Sequence, residues 1–342
     1  MYLNEFLIKY NTIKMSIDLS KYILKTDRDP VSWDFYKRQE AQDWSAEEFS
    51  FVKDRDDYLK SNDRIKGLLK GIFGFFLIGD GIISEDLVPM IEEAIGEGNW
   101  PKVYYLCMQL KVENTHAETY SKAALTIVPE EEHEEMLDMC KNLDCVVKKG
   151  EWIATNIDNQ KSRGLKNVAC ALGEGVGFVS LFAVIFYLRK LNIFDDFIES
   201  NEQISKDESI HRDEKASEAK RSLKPEEHEQ AYAMVKEFVE IEKLHANYLL
   251  KEPIISKQAD EDSGFTIDKL HKYIETLGDQ VAVLCGLDLI YNSKVTLKWM
   301  EDINLSQKTN FYERNVVGSY RKFNAEVSKG AKELENPHDV DF

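Results

Sequence analysis

The stretch "LKVENTHAETYSKAAL", residues 110–125, sets a carboxylate, an imidazole and a phenol at helical spacing: Glu113, His116 and Tyr120. At ~100° per residue all three fall within about 60° of one helix face. On a wet face such a set means nothing. On a dry face each group needs a partner, and a buried metal centre is a partner that suits all three.

The rest of the chain decides between these readings. Glu-x-x-His recurs as Glu113–His116, Glu130–His133, Glu208–His211 and Glu242–His245. Among 62 acidic residues and 7 histidines some matches arise by chance, so context must sort them. Glu130–His133 lies in the charge run "PEEEHEEM" and reads as solvated surface. Glu242–His245, flanked by Lys236 and Lys243, is expected near the polar edge of an amphipathic helix. The other two pairs have carboxylates beside strongly apolar runs: Asp80 ends "GIFGFFLIG" and Glu174 opens "GVGFVSLFAVIFYL". An unpaired carboxylate there costs several kcal/mol or is forced neutral, and cation coordination removes that problem.

Asp80, Glu113, His116, Glu174, Glu208 and His211 thus supply six ligands, enough for two hard or borderline metals with open positions left. The order acid, Glu-x-x-His, acid, Glu-x-x-His is that of ferritin-like di-iron and di-manganese bundles. Tyr120 follows His116 by one turn, which puts its ring beside the metal. Phe178 and Phe182 follow Glu174 at i+4 and i+8, and Ile204 precedes Glu208 by one turn. Together these three can wall the phenol and the metal pair off from water.

Helical patterning dominates from about residue 36, and 7 Pro and 17 Gly in 342 residues favour long helices. A capping region is expected at Ser45 to Glu48, a long buried helix over 63–98, a loop near Asn156 to Gly164, and a core helix over 165–190. The expected fold is all-α: a ferritin-like helical bundle with a di-metal carboxylate centre in its core. Its organisation is a 1–20 N-terminal arm, a 21–305 helical domain and a 306–342 C-terminal segment with an acidic tail. Met15 offers an alternative start to Met1. The run between Glu174 and Arg189 has 14 uncharged residues, short of the ~20 that a membrane span needs.

A net charge of −18 disfavours nucleic acid and anionic membrane as partners. Cys107, Cys140, Cys145, Cys170 and Cys285 form no regular pattern and read as reduced thiols of a cytoplasmic protein. No Gly-rich phosphate loop and no basic pocket signature occurs.

Five pieces carry a resemblance over nearly the whole chain: "DGII", "ENTHAETYS", "GEGVGFVSLF", "ISKDESIH" and "KTNFYERNVVGSY". With "WDFYKRQEAQDWSAEEF" they resemble the small, radical-generating subunit of class I ribonucleotide reductase, eukaryotic and viral branch. The resemblance implies that Asp80, Glu113 and His116 bind one iron ion and Glu174, Glu208 and His211 the other, with manganese also fitting. It implies O₂ activation there and a tyrosyl radical on Tyr120, passed on for reduction of ribonucleotides to deoxyribonucleotides. Trp44 and Asp207 match the electron-transfer route from His116, and Tyr320 the tail tyrosine. The tail ending at Phe342 matches the peptide that docks on the large subunit, and a homodimer is the implied state. The sequence departs from the family's usual residues at Asp43, Ser50 and Lys206, none of them a ligand position. Another di-iron oxidase or monooxygenase, a non-catalytic small-subunit paralogue and an iron store share parts of this pattern. The first needs neither Trp44 nor Tyr320, the second predicts missing ligands, and the third leaves the tail unexplained.

Overall fold

The structure, a computed structural model, describes residues 23–300 apart from 142, 159 and 161, and leaves the side chains of 78–86, 140, 141 and 158 undescribed. The arm at 1–20, the tail with Tyr320 and Phe342, and the Asp80 side chain therefore lie outside the described residues. The chain divides into two units, Met1–Val295 and Thr296–Phe342. In the second, the Met300 amide donates to the Leu297 carbonyl. All that follows concerns the first.

No strand occurs among the described residues. The α-helices are α1 (Pro30–Ala41), α2 (Val52–Lys60), α3 (Asp63–Gly96), α4 (Trp100–Ile127), α5 (His133–Lys141), α6 (Asp144–Ile153), α7 (Arg163–Val176), α8 (Val179–Leu188), α9 (Asp195–Ser222), α10 (His228–Leu249), α11 (Lys257–Asp262) and α12 (Ile267–Leu284). α3 packs along α4 and α7 along α9, and these four carry the six candidate ligands. α1 and α2 cover α4, while α10 and α12 close over α7 and α8.

Local chemistry sets the helix ends. Asn62 caps α3, its side chain accepting from the Ile65 amide. Asn99 caps α4 by accepting from Lys102, with Pro101 in the first turn, where its missing N–H is no loss. Between α3 and α4 the chain reverses at Gly98, whose φ of +65° suits glycine. Ser162 caps α7 through the Leu165 amide. α9 begins differently. Its N-cap, Phe194, is buried with φ +62° and offers no side-chain cap. Asp54 of α2 supplies one instead, accepting from the amides of Phe197 (2.7 Å) and Asp196 (3.4 Å). The Ser45–Glu48 capping box is present.

The expected helix over 165–190 is two helices. α7 ends at Val176, Gly177 and Phe178 interrupt it, and α8 resumes at Val179. The stretch Arg163–Leu191 is long enough and, in an 18-residue window of mean hydropathy 2.0, apolar enough by composition to cross a membrane, more than the 14-residue run had indicated. Its most apolar window is 94% buried inside the protein, so the apolar faces are met by other helices. The expected loop at 156–164 begins as a single wide helical turn, Ala154–Asp158.

Candidate metal centre

α4 brings Glu113 and His116 inward, α7 Glu174, and α9 Glu208 and His211, all buried. One donor atom from each of Glu113, Glu174, Glu208 and His211 lies within 4.8 Å of the others. His116 Nδ1 joins them, 3.3 Å from Glu113 Oε2 and 3.2 Å from Glu208 Oε1. His211 Nδ1 is 3.0 Å from Glu113 Oε1 and 3.2 Å from Glu208 Oε2. Asp80 lies on α3, the fourth helix.

The charges show what this pocket wants. Burial opposes ionisation of Glu113, yet the His211 and His116 imidazoles outweigh it and hold the carboxyl far below its ordinary range. Glu208 is lowered too, the two histidines overcoming burial and the charge of Glu113. Glu174 goes the other way, pushed well up by burial and by the Glu208 and Glu113 charges. Burial disfavours the imidazolium of both histidines, but the carboxylates win, taking His116 well up and His211 to about 10. The cluster thus gathers positive charge into the core, held as protons on the two imidazoles. A metal pair supplies that charge and releases the protons. Glu113 Oε2, His116 Nδ1, Glu174 Oε2 and His211 Nε2 are buried without a hydrogen-bond partner. Buried carboxylate oxygens of Glu113 and Glu174 without hydrogen bonds, beside the Nδ1 atoms of His116 and His211, are the donor set a di-metal centre takes, so the residues fit one.

Around this ring lies a second. His116 Nε2 meets Asp207 Oδ2 at 3.1 Å, which also accepts from Trp44 Nε1 at 2.7 Å, while Gln39 Nε2 donates to Asp207 Oδ1 at 2.7 Å. The Trp44 indole stacks beside the His116 ring, centroids 6.0 Å apart. Gln109 Nε2 donates to Glu174 (3.2 Å) and Glu113 (3.4 Å). Such partners fix the orientation of ligand side chains.

On the Tyr120 side the surroundings are aromatic. Phe76 lies flat on the phenol at 4.1 Å and Phe197 meets it edge-on at 6.5 Å. Phe178 and Phe182 pack on Phe76, at 5.7 and 6.0 Å. Ile204 is buried. The phenol donates to Asn201 Oδ1 at 2.9 Å. The opposite flank is polar. Tyr105 and Glu214 are buried, and the Tyr105 phenol and Glu214 Oε1 have no hydrogen-bond partner. Lys215 Nζ sits 3.1 Å from Glu214 Oε2 and over the Tyr105 ring. Lys215 also lines a cleft of about 190 Å³ with Glu93, Glu97, Lys102, Arg163 and Lys166.

Glu242–His245 departs from its expected place at a polar edge, for both residues are buried. Lys149, also buried, is the cause. Its ammonium donates to the Gly177 carbonyl (2.6 Å) and His245 Nδ1 (2.9 Å) and pairs with Glu242. Glu242 Oε1 accepts from the Ser180 amide at 2.9 Å. A cation therefore sits at the end of α7 and an anion at the start of α8, each matching the helix dipole it faces. Burial drives His245 well down, reinforced by the Lys149 charge. Glu130 is exposed and His133 half-buried. At the positions of departure, Asp43 pairs with Lys111, Ser50 donates to Asp196, and Lys206 to Gln203.

Gln39, Gln109 and Asn201 were not singled out from the sequence. The signal for two of them was present. Gln109 precedes Glu113 by four residues, and Asn201 lies three before Ile204 and seven before Glu208, on the inward faces of α4 and α9.

Residues 22–298 match the family described as "Ribonucleotide reductase, small chain". The ribonucleoside-diphosphate reductase small chain of Yaba-like disease virus is 32% identical over 328 residues, 95% of this chain and 96% of its own. The fold resembles dimanganese(II)-NrdF of Streptococcus sanguinis, with a TM-score of 0.68 and 19% identity over 82% of this chain and 99% of that one. It also resembles the ribonucleotide reductase Rnr4 homodimer of Saccharomyces cerevisiae, with a TM-score of 0.63 and 23% identity over 91% of this chain and 99% of that one.

Proposed function

This chain belongs to the ribonucleotide reductase small-chain family, and from that premise we propose that it makes and keeps a radical on Tyr120 for a large catalytic subunit. As a ribonucleoside-diphosphate reductase small subunit it is part of an oxidoreductase, works with a large subunit, and is of the di-metal type. The finer reading is that Asp80, Glu113, His116, Glu174, Glu208 and His211 hold two iron ions, that the chain forms a homodimer, and that it acts in the cytoplasm. The observation carrying it is the convergence of buried Glu113, Glu174, Glu208 and His211 on one point, with Glu113 Oε2 and Glu174 Oε2 buried and without a hydrogen-bond partner.

When bound, the metal pair supplies the capacity to reduce O₂ and oxidise a nearby phenol by one electron. The chain's own residues do the rest. Gln109 and Asp207 fix the directions of Glu174 and His116. Phe76, Phe178 and Phe182 exclude water from the Tyr120 flank. Asp207 links the His116 imidazole to the Trp44 indole, a route outward on which Tyr320 is the expected next station. The tail ending at Phe342 is the docking peptide in this reading.

The test is to add ferrous iron and O₂ to the apoprotein and record its electron paramagnetic resonance spectrum beside Tyr120→Phe. A tyrosyl signal present only with Tyr120 is expected. Metal uptake without a radical would move the assignment to another di-metal oxidase. No uptake of iron or manganese would sink the six-ligand reading and point to a non-catalytic paralogue.

A further inference from the structure

Asn201, a partner of the Tyr120 phenol, faces one way only. The phenol donates to Asn201 Oδ1 at 2.9 Å, while Asn201 Nδ2 donates to the Phe197 carbonyl at 2.7 Å. A carbonyl only accepts, so the amide cannot turn over without losing that bond. Asn201 is fully buried, and the phenol beside it is covered by Phe76. A hydrophobe at 201 would keep this flank equally dry, whereas a buried amide is costly unless its polar atoms are used.

Resting on the radical reading above, we propose that Asn201 is a further functional residue of the centre, an acceptor-only partner that favours the reduced phenol and keeps the Tyr120 radical easy to reduce. Oxidation removes one electron and one proton from Tyr120, and a bound metal pair oxidised by O₂ would accept both. Reduction returns both. The proton that bonds to Asn201 exists only in the phenol. In the neutral radical the fixed amide oxygen faces another oxygen with no hydrogen between them. The equilibrium therefore leans toward phenol by the worth of one neutral hydrogen bond, on the order of tenfold. A radical that must be handed on and recovered at each turnover benefits from that lean.

The experiment compares Asn201→Leu with the unaltered protein, and Asn201→Ala serves if leucine overpacks the site. In the metal-free proteins, ultraviolet resonance Raman reads the Tyr120 phenol C–O band, identified by its loss in Tyr120→Phe. After iron and O₂, paramagnetic resonance follows radical decay at a fixed concentration of a neutral, oil-soluble hydroxylamine. The expected result is a shifted phenol band and a radical that decays on the order of tenfold more slowly in the variant. An unshifted band, or equal or faster decay at full metal content, would overturn the proposal for Asn201. Absence of any radical in the unaltered, metal-loaded protein would instead overturn the radical reading itself.

Discussion

Asp207 shows how much one buried carboxylate can organise, since its two oxygens meet His116, Trp44 and Gln39. It sits next to a ligand position without being one in the proposed set. Asp207→Ala leaves two or three buried donors unmatched, a cost of about 1–3 kcal/mol for each donor. We expect the variant to take up metal and form the Tyr120 radical, yet to lose nucleotide reduction with the large subunit. Metal analysis, paramagnetic resonance and a coupled turnover assay check the three parts, and retained turnover would remove Asp207 from the route. At this scale the sequence was legible where spacing and apolar context agreed, as at Glu113, His116, Glu174, Glu208 and His211. It was misleading at Glu242, because the flanking Lys236 and Lys243 suggest a wet face. The residue that pays for its burial, Lys149, is 93 positions away in the chain and on another helix.

The joint between α7 and α8 is the element whose form was hidden. A run apolar on every side shows no periodicity, so nothing in it marks where a helix stops. What holds the joint is Lys149 on the Gly177 carbonyl and Glu242 on the Ser180 amide. Lys149→Met strands a buried carboxylate and should cost about 3–5 kcal/mol in chemical denaturation, whereas adding Glu242→Gln should recover much of it. Glycines along α7 give a sharper contrast. A Cβ on Gly164 would meet the Leu223 backbone at 2.6 Å, and one on Gly173 meets nothing within 4 Å. Gly164→Ala should therefore cost about 1–3 kcal/mol, since backbone cannot step aside as a side chain can. Gly173→Ala should gain roughly 0.5–1 kcal/mol from helix propensity. Equal melting shifts in the two variants would contradict this packing of α7 on the end of α9.

Across the whole molecule, acid should act first through the polar flank. Burial opposes ionisation of Glu218, but Lys102, Arg221 and Arg163 prevail and lower it to about 2. A depressed carboxyl stabilises the fold above its unfolded pKa of about 4.5 and loses that contribution as the pH falls from there toward 2. The loss amounts to roughly 3 kcal/mol, and Glu218→Gln should flatten the fall in melting temperature over that window. Chelation of bound metal should lower the melting temperature at every pH above it, because the ion binds the folded chain. The all-α, ferritin-like architecture was legible in the order of acids and Glu-x-x-His pairs, which no single motif carries. The buried ring of Glu113, His116, Glu174, Glu208 and His211 follows from that order. Gln39 of the outer ring does not, because only three-dimensional proximity gives it a role, and the spacing of Gln109 and Asn201 is a weak signal because amides are common on helices.

The aromatic cover over Tyr120 also sorts whatever approaches it. Phe76, Phe178, Phe182 and Phe197 make that flank a small volume of oil, in which a gas such as dioxygen dissolves readily and a hydrated ion does not. Scavengers of the proposed Tyr120 radical should then rank by their oil–water partition coefficients ahead of their reducing strength. A series of phenols and hydroxylamines matched in potential, with decay followed against partition, would show that order or its absence.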